Sequence, residues 1–118
     1  MGTFSSPVRF ASLDGQNAVD IEATVDTGAA YSMLPGNLLS ELGIEPAYIS
    51  TFEFADGRRV DMNIGRAWAT IDGQSEITLV IFGEDGVPPL LGAYTLEGLR
   101  LAVDPVNQRL VPVTPILY

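Results

Sequence analysis

Apolar and polar residues alternate with a period of two between tight turns, and this constrains the chain more than any other feature. Val19, Ile21, Ala23 and Val25 alternate with Asp20, Glu22 and Thr24, the pattern of a strand with one face buried. Asp-Gly dipeptides stand at Asp14-Gly15, Asp56-Gly57, Asp72-Gly73 and Asp85-Gly86. Asp-Gly supplies the positive φ angles of tight hairpins, so the first three predict hairpin turns. The spacing predicts strands near 7–12, 17–25, 47–55, 58–64, 66–72 and 76–82, with two more near 99–103 and 109–114. Two short helices fit between them. Pro35 suits the first position of a helix carrying Leu38, Leu39 and Leu42 and stopped by Gly43; a second runs from Ala93 to Leu99. Gly83 to Pro89 reads as a loop. The expectation is one all-β domain over 1–118, a small barrel or sandwich.

Composition narrows the chemistry. The 118 residues contain no Cys and no His, and all six basic side chains are Arg. A cysteine nucleophile, a disulfide, a Cys/His zinc site, a Ser-His-Asp triad and a lysine Schiff base are therefore excluded. Carboxylates, hydroxyls, backbone amides and Arg remain. Asp20, Glu22, Glu84 and Asp85 read as solvated, so no metal and no cofactor is expected. A formal net charge of −9 argues against nucleic acid and anionic membranes as partners. The longest strongly apolar stretch, Ile77 to Phe82, is far too short to span a bilayer. No basic segment followed by an apolar one opens the chain, so a cytoplasmic location is expected. Met1-Gly2 with Ser6 fits the loose N-myristoylation pattern, which is short enough to arise by chance. Hydrophobic residues make up 47%, which fits either a partner-covered surface or a Val/Leu-rich β core.

One segment carries chemistry. The alternating strand ends in Val25-Asp26-Thr27-Gly28-Ala29-Ala30. Asp26 leaves the strand as the chain turns, Gly28 permits a close backbone approach, and Thr27 offers a hydroxyl that both donates and accepts. A carboxylate on a rigid stem at a surface turn suits general acid-base work. Asp-Thr-Gly alone is an ordinary turn tripeptide. Here it follows a strongly alternating strand, continues into Tyr31-Ser32-Met33-Leu34-Pro35, and is answered 64 residues later by Leu90-Leu91-Gly92.

Val25-Asp26-Thr27-Gly28-Ala29, the later Leu90-Leu91-Gly92 and the short segment Leu96-Glu97-Gly98-Leu99 resemble the retroviral-type (retropepsin-like) aspartic peptidases, most of all their small prokaryotic relatives. The resemblance spans roughly residues 17–113 and implies a small closed β-barrel of the acid-protease type. It implies that a chain with one Asp-Thr-Gly works as a homodimer, with the site on a two-fold axis. Two Asp26 carboxylates would then share a proton and activate a water for hydrolysis of an extended peptide. By the same resemblance Asp26 is catalytic, Thr27 locks the two motif loops across the dimer, and Gly28 and Ala29 orient carboxylates and substrate. Leu91 and Gly92 pack under the loop. The hairpin 52–64, with Ala55, Asp56, Gly57 and Arg58 at its tip, matches the flap that closes over substrate.

The sequence departs from that pattern in three places. The flap region has Gly57 alone, followed by Arg58-Arg59, where retroviral flaps are Gly-rich. Ala93 follows Gly92 where those enzymes place an Arg. Pro112 and Pro115 interrupt the terminal strand, so the apolar tail Ile116-Leu117-Tyr118 is expected to meet a dimer partner through irregular pairing. Two other readings stay open: a catalytically idle dimeric module that binds peptide or protein on the same fold, and an unrelated β-barrel in which Asp-Thr-Gly is only a turn.

Overall fold

Each predicted alternation is realised as an antiparallel ladder. In the computed structural model, which describes residues 3–118, β1 (Phe4–Ala11) pairs with β2 (Ala18–Val25) from Phe4↔Val25 to Ala11↔Ala18. Met1 and Gly2, and with them the start of the myristoylation pattern, lie outside the described residues. Strands β5 (Arg59–Ile71) and β6 (Gln74–Gly83) meet at a two-residue turn. There Asp72 and Gly73 take φ of 51° and 78°, the left-handed pair that a tight hairpin requires. Asp14-Gly15 joins β1 to β2, and Asp56-Gly57 joins β4 (Tyr48–Glu53) to β5. The three expected hairpins are therefore present, and Asp85-Gly86 lies in the connection after β6.

Four expectations need correction. The segments 58–64 and 66–72 are one strand, β5, running through Gly65. A Cβ at Gly65 would sit 3.0 Å from Phe82 Cε1 and 3.1 Å from the Glu45 carbonyl oxygen, so this glycine admits close neighbours rather than breaking the strand. β1 begins at Phe4 and contains Pro7, in the half of the strand that pairs with β2 alone; its pairing with β5 is confined to Arg9–Ala11. A missing donor is tolerated there. Two strands, β3 (Ser32–Pro35) and β7 (Leu90–Leu91), were not expected. Pro35 closes β3 and caps α1 (Gly36–Glu41) instead of opening the helix. Helix α2 (Ala93–Gly98) falls where expected, followed by the two-stranded sheet of β8 (Leu101–Asp104) and β9 (Arg109–Pro112).

The seven-stranded sheet has the order β1-β2-β7-β3-β6-β5-β4, and the additional β1–β5 pairing leads the ladder back to β1. The molecule is mostly strand with two short helices, which agrees with the all-β expectation. Phe10, Leu34, Leu39, Val80, Leu91 and Leu99 fill the centre. Burying one such side chain stabilises the fold by about 1.5–3 kcal/mol relative to leaving it exposed. Among the described residues no helix is long and apolar enough to cross a membrane. Val113 donates to the Arg100 carbonyl, and beyond it the tail is exposed, with Ile116 at 88% and Leu117 at 86%.

Candidate active site

Strand β7 is only two residues long, yet it places the motif. It lies parallel to β2, Thr24 opposite Leu90 and Val25 opposite Leu91, and antiparallel to β3 at Met33. The Asp26 N–H donates to the Leu91 carbonyl at 3.0 Å, carrying the ladder one residue past the strand end. The stem of Asp26 is thus gripped by β1 on one side and β7 on the other. The chain then turns. Ala29 N–H donates to the Asp26 carbonyl at 3.2 Å, and Gly28 N–H donates to Asp26 Oδ1 at 2.9 Å. An added Cβ at Gly28 would stand 3.2 Å from that oxygen, tight enough to disturb it. The carboxylate is half-buried.

The far end of the loop is held from the same segment. Ala93 and Tyr94 donate to the carbonyls of Ala29 and Ala30, at 2.8 and 3.0 Å. Between these tethers lies Gly92, where a Cβ would fall 2.4 Å from the carbonyl carbon and oxygen of Tyr31. No side chain fits there, so Gly92 is the glycine that the loop cannot do without. Leu91 is fully buried beneath the motif.

On its open side Asp26 borders a cavity of about 540 Å³. Gly28, Ala29 and Ala30 form its edge. Tyr31, Met33, Met62, Ile81 and Leu90 line it, and Phe52, Glu53, Phe54 and Ala55 from β4 and the following turn face it. Tyr31 packs edge-on against Phe52 at 5.8 Å between ring centroids and lies 5.6 Å from Tyr94. Tyr31 is both half-buried and part of the lining. The other apolar lining residues carried no sequence signal of their own, although Tyr31/Met33 and Phe52/Phe54 each show the two-residue spacing of one strand face.

The expected flap residues are only partly brought to this cavity. Ala55 lines it, whereas Asp56, Gly57 and Arg58 point their chemistry into their own hairpin. Arg58 N–H donates to Asp56 Oδ1 at 3.0 Å and Arg58 Nε to Oδ2 at 2.8 Å; these contacts, the backbone one first, hold the Asp56 carboxyl below the usual range. The Arg58 guanidinium also lies 5.0 Å from the Phe54 ring centroid, and Arg59 pairs with Glu53 at 3.1 Å. Thr27 is exposed and lines a separate small hollow of about 120 Å³ with Phe4, Val25, Asp26 and Val103. Among the described residues no group of three or more carboxylates could hold a metal ion.

No protein-family model and no curated protein sequence matches the chain. Solved structures do. The protease of simian foamy virus superimposes with a TM-score of 0.53 at 14% identity over 78% of this chain and 92% of its own. The EIAV protease complexed with the inhibitor HBY-793 gives 0.58 at 18% over 83% and 88%. A retropepsin-like aspartic protease from Rickettsia conorii gives 0.53 at 21% over 87% and 85%. The chain carries a retropepsin-like fold.

Proposed function

We propose that this chain is an aspartic endopeptidase that acts as a homodimer. The observation that carries the reading is Asp26: a carboxylate anchored through its backbone at the mouth of a largely apolar cavity, in a fold shared with viral and rickettsial proteases. Each chain has one Asp-Thr-Gly, so a second copy must supply the other carboxylate. The exposed Thr27 and the exposed apolar tail support a surface that a second copy covers. The return of the ladder from β5 to β1 supports reading the sheet as a closed barrel.

In the dimer, two carboxylates about 3 Å apart cannot both ionise cheaply and hold one proton between them. The ionised member takes a proton from a water as the water oxygen bonds to the scissile carbonyl carbon. The protonated member gives its proton to the carbonyl oxygen. Collapse of the tetrahedral diol breaks the C–N bond, the leaving nitrogen takes a proton from the dyad, and a diol hydroxyl returns one. Apolar substrate side chains occupy the cavity beside Phe52 and Tyr31, and the β4–β5 hairpin covers them.

The test is cleavage of denatured protein or a peptide library across pH. Wild type cleaves best at acidic pH, and Asp26→Asn loses activity on the order of 10³-fold. Equal cleavage by both rejects the assignment. A stable dimer of wild type that binds peptides without cutting them would instead favour the idle binding module.

A further inference from the structure

Beneath the motif lies a chain of three buried hydroxyls that the mechanism above does not use. Ser32 opens β3, Thr78 lies in β6 and Thr95 in α2; their exposures are 0%, 3% and 1%. Thr95 Oγ1 stands 2.8 Å from Thr78 Oγ1 and 2.6 Å from Ser32 Oγ, and Ser32 Oγ accepts the Gly92 N–H at 3.1 Å. Among the described residues these are the only wholly buried side-chain hydrogen bonds. Of the five buried polar side chains among the described residues, three meet at this one spot. The chain ends on Gly92, whose two neighbours hold the catalytic loop: Leu91 accepts from Asp26, and Ala93 donates to Ala29. A buried hydroxyl aligns its partner as well as filling space, because a lost partner leaves a polar atom unsatisfied where water cannot reach.

We propose that Thr95, acting through Ser32 and Gly92, is a positioning residue for the Asp26 loop. It touches neither substrate nor carboxylate. Its hydroxyl fixes Ser32 Oγ, Ser32 fixes the Gly92 amide, and Gly92 fixes the carbonyl that receives the Asp26 N–H. The link spans β6, α2, β3 and β7, so a small shift at Thr95 reaches Asp26 without any change in the cavity wall. The kinetic part rests on the peptidase reading; the structural part rests on geometry alone.

The test compares Thr95→Val, which keeps the shape and removes the hydroxyl, with Thr95→Ser, which keeps the hydroxyl, in the full-length protein. Thr95→Val lowers kcat roughly tenfold with little change in KM, and Thr95→Ser stays within about threefold of wild type. Amide exchange gives an arm that needs no activity. In Thr95→Val, the amides of Asp26, Ala29, Gly92 and Ala93 lose protection by about tenfold more than those of Ala67 and Ala69 in β5, and Thr95→Ser restores it. Uniform loss across both groups, or none, overturns the proposal, as does an unchanged kcat in a Thr95→Val protein that cleaves. A wild type that cuts nothing rejects the peptidase reading, and the exchange comparison still decides whether Thr95 holds the loop.

Discussion

Two turns in this molecule begin in the same way and end differently. At Asp26 and at Asp56 the carboxylate accepts the backbone N–H two residues on, from Gly28 at 2.9 Å and Arg58 at 3.0 Å. Asp14 does the same with Gln16. Locally these are equivalent Asp-initiated turns. They differ in what holds the backbone. The Asp26 turn is tied at both ends to β7 and the start of α2, more than 60 residues away in sequence. The Asp56 turn is tied to its own hairpin: Phe54 donates to the Arg58 carbonyl, Gly57 to the Phe54 carbonyl, and exposed ion pairs and the Arg58–Phe54 contact add to these within the same hairpin. An Asp-x-Gly or Asp-Gly turn is therefore only a shape; a distant strand makes it a rigid site. On the proposed peptidase reading, the contrast would suit a fixed reaction centre beneath a cover that opens with little cost, since exposed, locally bonded segments open most readily.

Glycine substitutions test that contrast most severely. Gly92→Ala pushes a Cβ to 2.4 Å from the Tyr31 backbone, and the protein loses about 3 kcal/mol or more, or fails to fold, in thermal or urea unfolding. Gly57→Ala meets nothing within 4 Å and pays only for its φ of +88°, about 1 kcal/mol. Equal losses would erase the distinction between tethered and untethered turns.

A smaller effect sharpens the role of the cavity. Phe52→Ala removes the ring that faces Tyr31 at 5.8 Å. We expect KM for apolar peptides to rise about fivefold, roughly 1 kcal/mol of lost contact, while kcat changes less. A fall in kcat with KM constant would place Phe52 in the chemistry instead.

The mildest prediction concerns acid. Hydrogen bonds hold four carboxyls below their usual range: Asp14 through the Ser12 hydroxyl, Asp20 through Arg9, Asp56 chiefly through the Arg58 N–H, and Asp104 chiefly through Asn107. Each has a lower value folded than unfolded. Each therefore contributes stability above roughly pH 4 that is lost as pH falls through the lowered value. Asp14, Asp20 and Asp56 are exposed and Asp104 is half-buried, so the thermal midpoint holds steady from neutral to mildly acidic pH and declines modestly below. Asp20→Asn softens that decline; a decline of the same size in the variant would assign it to other groups.

Much of this was legible in the residues. Alternation in 18–25 and the Asp-Gly pairs located the hairpins, because strand pleat and left-handed turns are local properties. Asp26 and Gly92 stood out because their motifs keep order and spacing along the chain. Strands β3 and β7 were not legible: four and two residues show no period, and their partners are distant. Gly65 misled because a glycine admitting Phe82 looks, in sequence, like one ending a strand. The cavity lining was hidden for the same reason, since Met33, Phe52, Met62 and Leu90 meet only after folding. Thr78 and Thr95 carry no signal of their own in the sequence; folding buries them side by side.

The central claim, one reaction centre built from two copies of Asp26, is tested most directly by subunit mixing. Wild type and Asp26→Asn are combined in equal amounts, unfolded and refolded together, and assayed for cleavage. Random pairing leaves about one quarter of the dimers with both carboxylates, so activity per total chain falls to about one quarter of that of wild type alone. Activity of one half, the simple dilution of independent chains, would contradict the account.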